Sequence, residues 1–203
     1  MKTILIASQK GGSGKTTLAV HLAVEAIPAR KPVWVIDMDR QASLTRWHQR
    51  RTHDTPILGN TSISKLGDGL KAIRTKASFV FIDSAPTISK ETQNLISLAD
   101  LVLIPVRPSP TDLWSVAATV ELVKAQRKAF LFVLTQAKTT ASITAQAISA
   151  LAQYGKVAHT VIGDRVVYAS SITSGNVVRE VQPRGAAAKE ISALWEEILS
   201  LIS

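Results

Sequence analysis

A glycine-rich segment near the start of the chain carries the strongest chemical signal in the sequence. Residues 9–17 read Gln-Lys-Gly-Gly-Ser-Gly-Lys-Thr-Thr and follow directly on the apolar run Thr3–Ala7. Glycines allow backbone N–H groups to close around phosphate oxygens, and a helix that begins at such a loop adds partial positive charge. In this pattern the Lys15 ammonium reaches the β- and γ-phosphates and the Thr16 hydroxyl ligates Mg²⁺. The segment therefore predicts a binding site for ATP or ADP with Mg²⁺.

The spacing of this loop departs from the usual phosphate-binding pattern, in which four residues separate a first glycine from Gly-Lys-Ser/Thr. Gln9 occupies the position of that first glycine. What remains is Lys-Gly-Gly-x-Gly-Lys-Thr-Thr, the deviant Walker A box, whose early lysine is Lys10. We expect nucleotide contacts from the loop and from one residue after a later strand, namely Lys10, Gly11, Gly12, Ser13, Gly14, Lys15, Thr16, Thr17 and Gln136.

Aspartates at the ends of two apolar strands predict the rest of a hydrolysis site. In the run Val35–Asp39, the carboxylates of Asp37 and Asp39 stand at alternate positions, so they point the same way. We assign Asp39 to positioning the attacking water and Asp37 to a supporting role, although two capping aspartates would give the same pattern. Asp83 closes the run Phe79–Ile82, as a Walker B carboxylate does. The expected catalytic residues are Lys10, Lys15 and Asp39, and the expected metal ligands are Thr16, Asp39 and Asp83.

The chain alternates between two patterns. Short, nearly all-apolar runs are typical of strands buried on both faces of a parallel sheet. They cover Thr3–Ser8, Val33–Asp37, Phe79–Asp83, Leu101–Val106, Phe130–Thr135 and Val157–Ile162. Stretches with helical spacing lie between and after them, at Thr16–Ile27, Ser43–Arg51, Ile63–Lys76, Thr92–Ala99, Asp112–Arg127, Ser142–Tyr154 and Ala186–Ile202. The alternation predicts an α/β three-layer sandwich with a mostly parallel central sheet.

Three connecting segments have more specific expectations. Residues 52–60 predict a loop that runs into an irregular edge strand. Asp112 is the expected N-cap of the helix that begins there. The loop Pro105–Pro110 reads Pro-Val-Arg-Pro-Ser-Pro, and its prolines stiffen the chain and remove N–H donors. This loop is either a rigid connector or a lining of the nucleotide or of a dimer face.

Length and composition limit the classes of protein to consider. The chain has 203 residues, of which 46% are hydrophobic, and this suits one globular domain over residues 1–203. It contains no cysteine, which excludes disulfides and thiolate metal sites and is consistent with a reducing cytoplasm. The N-terminal strand leads into the glycine-rich loop and does not resemble a signal peptide. No apolar run is long enough to span a bilayer.

The basic charge of the chain points to an anionic partner. The formal net charge is +9 and the sequence pI is about 10.0, so nucleic acid and an anionic membrane are the natural candidates. The basic residues fall into four groups, which are Arg46, Arg50 and Arg51 (with His48 and His53); Lys71, Arg74 and Lys76; Lys124, Arg127 and Lys128; and Arg165, Arg179, Arg184 and Lys189. Each group alone fits a solvated helix face, and their sum favours DNA.

Together these motifs resemble the ParA/MinD family of deviant Walker ATPases. The matching segments are Lys10–Thr17, Asp37–Thr45, Phe81–Pro86, Leu103–Val106 and Gly185–Ile191. The chain looks closest to the short, ParF-type plasmid partition ATPases, because it shares their runs at Ser43–Trp47, Pro108–Asp112 and Arg165–Tyr168. Arg40 stands where the family usually has proline, and Gln136 stands where relatives often carry Asn or Arg.

The resemblance implies a cycle of nucleotide-controlled assembly. ATP binding would bring two subunits together, with Lys10 of each reaching the other's phosphates, and some ParF-type relatives assemble further into filaments. The dimer would bind DNA without sequence preference, and a ParB-like centromere-binding protein would stimulate slow hydrolysis. Family members place DNA-contacting arginines in the C-terminal half, which favours Arg165, Arg179, Arg184 and Lys189. The expected location is the cytoplasm, on the nucleoid, and we expect no N-terminal helix-turn-helix domain.

Other functions on the same fold stay open. Related ATPases position other cargo, such as conjugative DNA, envelope machinery or protein clusters, and MinD relatives act at membranes through a basic amphipathic helix. Here the last helix carries Glu190, Glu196 and Glu197, the wrong sign for anionic lipid, so we expect it to pack on the sheet and expect no membrane partner. A metabolic ligase would need a substrate motif, which the sequence does not show.

Four tryptophans and one histidine have simple structural interpretations. Trp34 and Trp195 lie inside a predicted strand and a predicted helix, so core packing explains them. Trp47 and Trp114 lie in predicted helices near switch-like loops, where an interface is an alternative to packing. His21 is expected to be packed or solvated and not to be a metal ligand.

Overall fold

A parallel sheet runs through the centre of the computed structural model, which describes residues 1–87, 89–138 and 142–202. Its strands are β1 (Lys2–Ile6), β2 (Val33–Met38), β3 (Ile57–Gly59), β4 (Phe79–Ser84), β5 (Leu101–Val106) and β6 (Ala129–Leu134). Their order is β3-β2-β4-β1-β5-β6, and every neighbouring pair is parallel. The predicted edge strand within residues 52–60 is β3, which pairs with β2 alone.

Helices cover both faces of the sheet and separate its core into two apolar clusters. They are α1 (Lys15–Glu25), α2 (Ser43–Gln49), α3 (Ile63–Ile73), α4 (Lys90–Leu98), α5 (Pro110–Ala125), α6 (Ser142–Ala152), α7 (Val166–Thr173), α8 (Val178–Val181) and α9 (Ala186–Ile202). One cluster contains residues from α1, α2, α7, α8 and α9, and the other contains residues from α3 to α6. The predicted α/β three-layer sandwich with a mostly parallel sheet is confirmed.

The predicted strand at Val157–Ile162 is wrong. This segment runs beside β6, but its pairing is interrupted. Isolated bridges join Phe132 to Val157 and, beyond the end of β6, Ala137 to Gly163, and the Ile162 N–H donates to the Leu134 carbonyl at 2.9 Å. The backbone N–H groups of His159 and Thr160 instead donate to the Glu197 carboxylate of α9, at 2.8 and 2.7 Å. Because those donors are used by a side chain, they cannot form a continuous ladder.

One helix start differs from the prediction, and two short helices are additional to it. Ser109, not Asp112, is the N-cap of α5, since its hydroxyl accepts a hydrogen bond from the Asp112 N–H at 3.3 Å. Pro110 is the first residue of that helix, where its missing N–H costs nothing. The sequence does not predict the short helices α7 and α8, because their N-cap residues, Arg165 and Val177, form no side-chain cap of their own and both helices begin with β-branched residues of low helix propensity.

A polar clasp joins α2 to the segment between α7 and α8. The indole N–H of Trp47 donates to the Asn176 carbonyl at 3.1 Å, and Trp47 is 1% exposed. The Arg51 guanidinium lies 4.7 Å from the centre of the Trp47 ring, donates to the Gly175 carbonyl at 2.9 Å and pairs with Glu180 at 2.8 Å. Trp47 is therefore a core residue, so of the two tryptophans considered for an interface only Trp114, which is 78% exposed, has a free surface.

Gly175 allows this clasp to close. Its φ is +75°, a left-handed conformation that side-chain-bearing residues rarely adopt. A Cβ placed on Gly175 would lie 2.4 Å from the carbonyl carbon and oxygen of Arg50. Both the backbone conformation and the close approach therefore require glycine.

Replacing Gly175 with alanine should destabilise the protein. We expect Gly175→Ala to lower the free energy of unfolding by about 2–4 kcal/mol, because the new Cβ meets rigid backbone and the left-handed φ becomes strained. Chemical denaturation measures this change. The control is Gly69→Ala in α3, where a new Cβ would meet nothing closer than 4.0 Å. There the substitution should raise the free energy of unfolding by about 0.5–1 kcal/mol, because alanine has a higher helix propensity than glycine. Equal effects of the two substitutions would contradict the argument.

His21 is the most deeply buried histidine of the described chain, at 1% exposure within α1. Its Nδ1 lies 2.8 Å from the Thr17 carbonyl, so the neutral ring donates there, and its Nε2 lies 3.5 Å from the Ser171 hydroxyl of α7. The ring also packs edge-on against Tyr168. Burial lowers the pKa of His21 to about 4, so the imidazole is neutral in the folded protein at physiological pH.

This burial predicts a pH dependence of stability. Between about pH 6.5, the ordinary histidine pKa, and pH 4 the unfolded chain binds a proton at His21 that the folded chain does not bind. The contribution of His21 to the free energy of unfolding is therefore complete above about pH 6.5. It decreases by about 3 kcal/mol in total as the pH falls through this window. Denaturation at several pH values should show this slope in the wild type, and the difference profile against His21→Gln isolates it. Parallel profiles for the two proteins would contradict the prediction.

Candidate nucleotide site

The glycine-rich loop connects β1 to α1 at the C-terminal edge of the sheet, where ligands of parallel α/β folds bind. Gly14 is the N-cap of α1 with a φ of +90°, and a Cβ there would lie 3.6 Å from the Thr135 side chain. The Thr135 hydroxyl donates to the Ser13 carbonyl at 2.8 Å, and the Gln136 amide donates to the Gly12 carbonyl at 2.6 Å. Residues after β6 therefore hold the loop in its curved shape.

Lys15 lies inside this loop as the first residue of α1. Its ammonium donates to the Lys10 carbonyl at 3.2 Å, so the side chain curls back over the loop. Burial lowers the pKa of Lys15, and the carboxylates of Asp83 and Asp39 oppose that change. A buried cation above a cradle of N–H groups is the arrangement that binds the outer phosphates of a nucleotide.

Thr16 and Asp83 form the part of the site that fits a metal ion. The Thr16 hydroxyl donates to Asp83 Oδ2 at 2.5 Å, which joins the start of α1 to the end of β4. Asp83 is 1% exposed, and its Oδ1 has no hydrogen-bond partner within the described residues. Burial, the largest cause, and the nearby Asp37 carboxylate raise the pKa of Asp83 to about 7. A buried carboxylate with an unused oxygen beside a threonine hydroxyl suits Mg²⁺.

Asp37 and Asp39 also act on the backbone. Asp37 accepts from the Asp39 N–H at 3.1 Å and from the Thr45 N–H at 2.8 Å, so both of its oxygens shape the turn before α2. Asp39 accepts from the Gln41 N–H through Oδ1 alone, at 2.9 Å. Asp37 therefore uses both oxygens on the backbone, while Asp39 lines the cleft with one oxygen unused by these contacts.

Two cavities that share lining residues, among them Gly14 and Gln136, lie along the loop. The larger has a volume of about 570 Å³. It is lined by the loop residues Gly11, Gly12, Gly14, Lys15, Thr16 and Thr17 together with Asp39, Gln41, Ser43, Pro86, Gln136, Ala169 and Ile172. The smaller has a volume of about 190 Å³ and lies beside Gly14 and Gln136. Across the described residues, no group of three or more acidic, histidine or cysteine side chains is positioned to hold a metal. The donors described above, the Thr16 hydroxyl and the carboxylates of Asp83 and Asp39, fit a Mg²⁺ ion that is held by one or two carboxylates together with phosphate oxygens and water.

Sequence reasoning missed one wall of the smaller cavity. That wall comes from residues 162–169, including Asp164, Tyr168 and Ala169. The Tyr168 hydroxyl donates to Glu190 of α9 at 2.8 Å, which fixes α7 against α9. The sequence shows the run Arg165–Tyr168 as a motif shared with ParF-type ATPases, but only the folded chain brings this run beside the phosphate loop.

The four residues expected to contact DNA divide into two kinds. Arg165 pairs with Glu190 at 2.6 Å, and Arg179 pairs with Glu25 at 3.0 Å. Arg184 and Lys189 are exposed, and their side chains form no ion pair within the described part of the chain. Of these four residues, only Arg184 and Lys189 therefore have charges that are free for an external anion.

The apolar side of α9 faces the protein interior. Leu194, Trp195, Ile198 and Ile202 are buried against the first apolar cluster, as expected for a helix packed on the sheet. Within residues 1–87, 89–138 and 142–202, none of the helices combines the length and the hydropathy needed to cross a membrane.

Similarity to known proteins agrees with the geometry. The chain is 29% identical over 209 residues to Maintenance of carboxysome distribution protein A of Halothiobacillus neapolitanus, covering 97% of this chain and 96% of the relative. It is 27% identical over 241 residues to the Chromosome-partitioning ATPase Soj of Thermus thermophilus, covering 100% and 97%. The solved structure of the septum site-determining protein MinD complexed with Mg-ADP from Pyrococcus horikoshii shares the fold, with a TM-score of 0.79, 18% identity and coverage of 98% and 96%.

A family model matches most of the chain and identifies its family. Residues 4–178, which include the glycine-rich loop, Asp37, Asp39, Asp83 and Gln136, match the CobQ/CobB/MinD/ParA nucleotide binding domain. The chain therefore belongs to the ParA/MinD family of nucleotide-binding proteins.

Proposed function

We propose that this protein is a Mg²⁺-dependent ATPase whose nucleotide state controls its dimerisation and its affinity for DNA. One observation carries the proposal. Thr16 lies beside the buried Lys15 in a cleft that Asp39 also lines, and behind it the buried Asp83, bonded to the Thr16 hydroxyl, has an unused carboxylate oxygen. A loop for phosphates, a place for a cation and a carboxylate for water are thus present at one edge of the sheet.

The residues of the site have separate roles in this proposal. When bound, ATP supplies the γ-phosphoryl group that water accepts, and Mg²⁺ neutralises charge on the phosphate oxygens. The N–H groups of the loop and Lys15 bind the phosphates, while Thr16 and Asp83 hold the cation. Asp39 orients the attacking water through the oxygen that Gln41 does not use. Because catalysis rests on positioning, turnover stays slow until a partner completes the site.

Lys10 is the proposed link between two subunits. It is partly exposed at the mouth of the loop, and within the described residues its ammonium forms no ion pair. An exposed cation there is available to the nucleotide of a second copy, so ATP would bring two copies together. Hydrolysis would then remove the γ-phosphate that Lys15 of one subunit and Lys10 of the other contact, and the dimer would dissociate.

The proposed cargo of the switch is plasmid or chromosomal DNA, with a ParB-like protein as the stimulating partner. The net charge of +9 and the similarity to Soj support this choice. A protein cluster is the second candidate, favoured by the 29% identity to a carboxysome distribution protein along 97% of this chain. The neighbouring genes discriminate, since a small centromere-binding gene favours partition and genes for a protein assembly favour the second cargo.

The two lysines of the loop should have different effects when they are replaced. Lys15→Ala should abolish ATP binding, because it removes the buried cation over the phosphates. Lys10→Ala should retain ATP binding within about threefold and lose ATP-dependent dimerisation. Calorimetry and sedimentation velocity measure the two properties, with circular dichroism to verify folding. Normal dimerisation of Lys10→Ala with ATP would contradict the role across subunits, and intact ATP binding by Lys15→Ala would contradict the site itself.

DNA binding should depend on both the nucleotide and the free cations of the C-terminal half. Affinity for random-sequence duplex DNA should be higher with ATP than with ADP or no nucleotide. The double variant Arg184→Ala/Lys189→Ala should weaken that affinity and reduce the log–log salt slope by about 2, since each lost phosphate contact removes about 0.9. Lys65→Ala/Lys156→Ala, at two exposed lysines outside the four basic groups, is the matched control for net charge. Equal affinity in the three nucleotide states would overturn the switch, and equal effects of both variants would exclude this surface.

A further inference from the structure

Arg107, in the proline-rich loop after β5, is held in a fixed orientation by a buried carboxylate. Its Nε and Nη2 each donate to Asp112 at 2.9 Å, so the two groups form a bidentate pair. Asp112 is 2% exposed and also accepts from the Ser109 hydroxyl at 3.1 Å. Such a fork fixes the plane of the guanidinium as well as its position.

The remaining nitrogen of Arg107 faces the phosphate loop. A Cβ placed on Gly12 would lie 3.7 Å from Arg107 Nη1, so the guanidinium borders the loop at Gly12. Within the described residues Nη1 donates to no acceptor, and the Arg107 side chain is 35% exposed. One face of the guanidinium therefore has fixed geometry and unused donors at the loop.

We propose that Arg107 is a phosphate-binding residue, oriented by Asp112, whose free Nη1 contacts a phosphoryl oxygen of the nucleotide. The inference rests on the proposed function, since it assigns a further residue to that nucleotide site. Lys15 lies within the loop, Lys10 lies at its mouth and Arg107 lies beside Gly12, so the three cations surround the phosphates from different directions. Asp112 is a positioning residue and does not itself touch the ligand.

A purely structural role for Arg107 would have a different pattern of contacts. The loop is already stiffened by Pro105, Pro108 and Pro110, and Ser109 already caps α5. Neutralising the buried Asp112 carboxylate uses only Nε and Nη2, and it does not account for the position of Nη1 beside Gly12 of the phosphate loop. The phosphate is either that of the same subunit or that of a second copy facing it, and both sources present the same oxygen chemistry.

Arg107→Gln tests the proposal, with Arg127→Gln as a matched control. Arg127 is an exposed arginine just beyond the other end of α5, so it changes the net charge equally and lies away from the loop. We expect Arg107→Gln to weaken either ATP binding or ATP-dependent dimerisation about 10- to 100-fold, the effect of a charge-assisted hydrogen bond. Arg107→Lys keeps the charge without the fork and should restore the function only in part, while Asp112→Asn should reproduce part of the loss by releasing the guanidinium.

The two sources of phosphate give different results. Weaker ATP binding by dilute, monomeric Arg107→Gln, with ADP less affected, supports a contact with the γ-phosphate of the same subunit. Unchanged ATP binding with weakened dimerisation supports a contact with the second copy, provided that mixing Arg107→Gln with Lys15→Ala restores hydrolysis. In a mixed dimer, the Arg107→Gln subunit holds the only bound nucleotide, and the Lys15→Ala subunit supplies the intact Arg107.

The proposal is overturned if Arg107→Gln, correctly folded by circular dichroism, matches Arg127→Gln in both ATP binding and dimerisation. It is also overturned if dimerisation weakens but the mixture does not restore hydrolysis, because Arg107 would then support the interface without touching phosphate. In either case wild-type binding of ATP leaves the proposed function intact. Failure of the wild type to bind ATP would instead remove the proposed function, and the role of Arg107 would be lost with it.

Discussion

The parallel register of β1, β4 and β2 is the constraint on which the rest of the structure depends. Ile6 pairs with Asp83 and Asp37 pairs with the same residue, so three strand ends stop at one level of the sheet. Since the phosphate loop follows β1 directly, the Thr16 hydroxyl reaches Asp83 without any long side chain. Strands of near-continuous apolar sequence fix this register by burial on both faces, and the polar chemistry follows from where they end.

The charges of the site are balanced by position more than by number. Lys15 is buried among the carboxylates of Asp83 and Asp39, while Asp83 keeps an oxygen free in a desolvated place that favours its protonated form. In the proposed function, a bound divalent cation would relieve both conditions, because it would replace the proton on Asp83 and attract phosphate toward Lys15. Elsewhere the basic character of the chain is partly used internally, since Arg51, Arg165 and Arg179 each pair with a glutamate.

Sequence alone predicted the elements that local patterns determine. The loop, Asp83 and most strand and helix positions follow from short motifs and periodicity, and the structure places Lys15, Thr16, Asp39 and Gln136 around one cleft. What could not be predicted depends on contacts between distant segments. Glu197 interrupts the expected strand at 157–162, and α7 forms a cavity wall only because Tyr168 packs on α1 and α9. The Arg107–Asp112 pair is close in sequence, but its direction toward Gly12 is a property of the folded chain.

The clasp around Trp47 and Arg51 also constrains how this sequence is able to evolve. Arg51 satisfies the carbonyl of Gly175 and the carboxylate of Glu180 from a position that solvent hardly reaches. Loss of Glu180 alone would strand a desolvated cation, and a larger residue at 175 would force the two segments apart. Relatives that replace one of these residues should therefore have replaced the others. Co-variation of Trp47, Arg51, Gly175 and Glu180 would then mark the family members that join the helix after the Asp39 turn to the C-terminal half in this way.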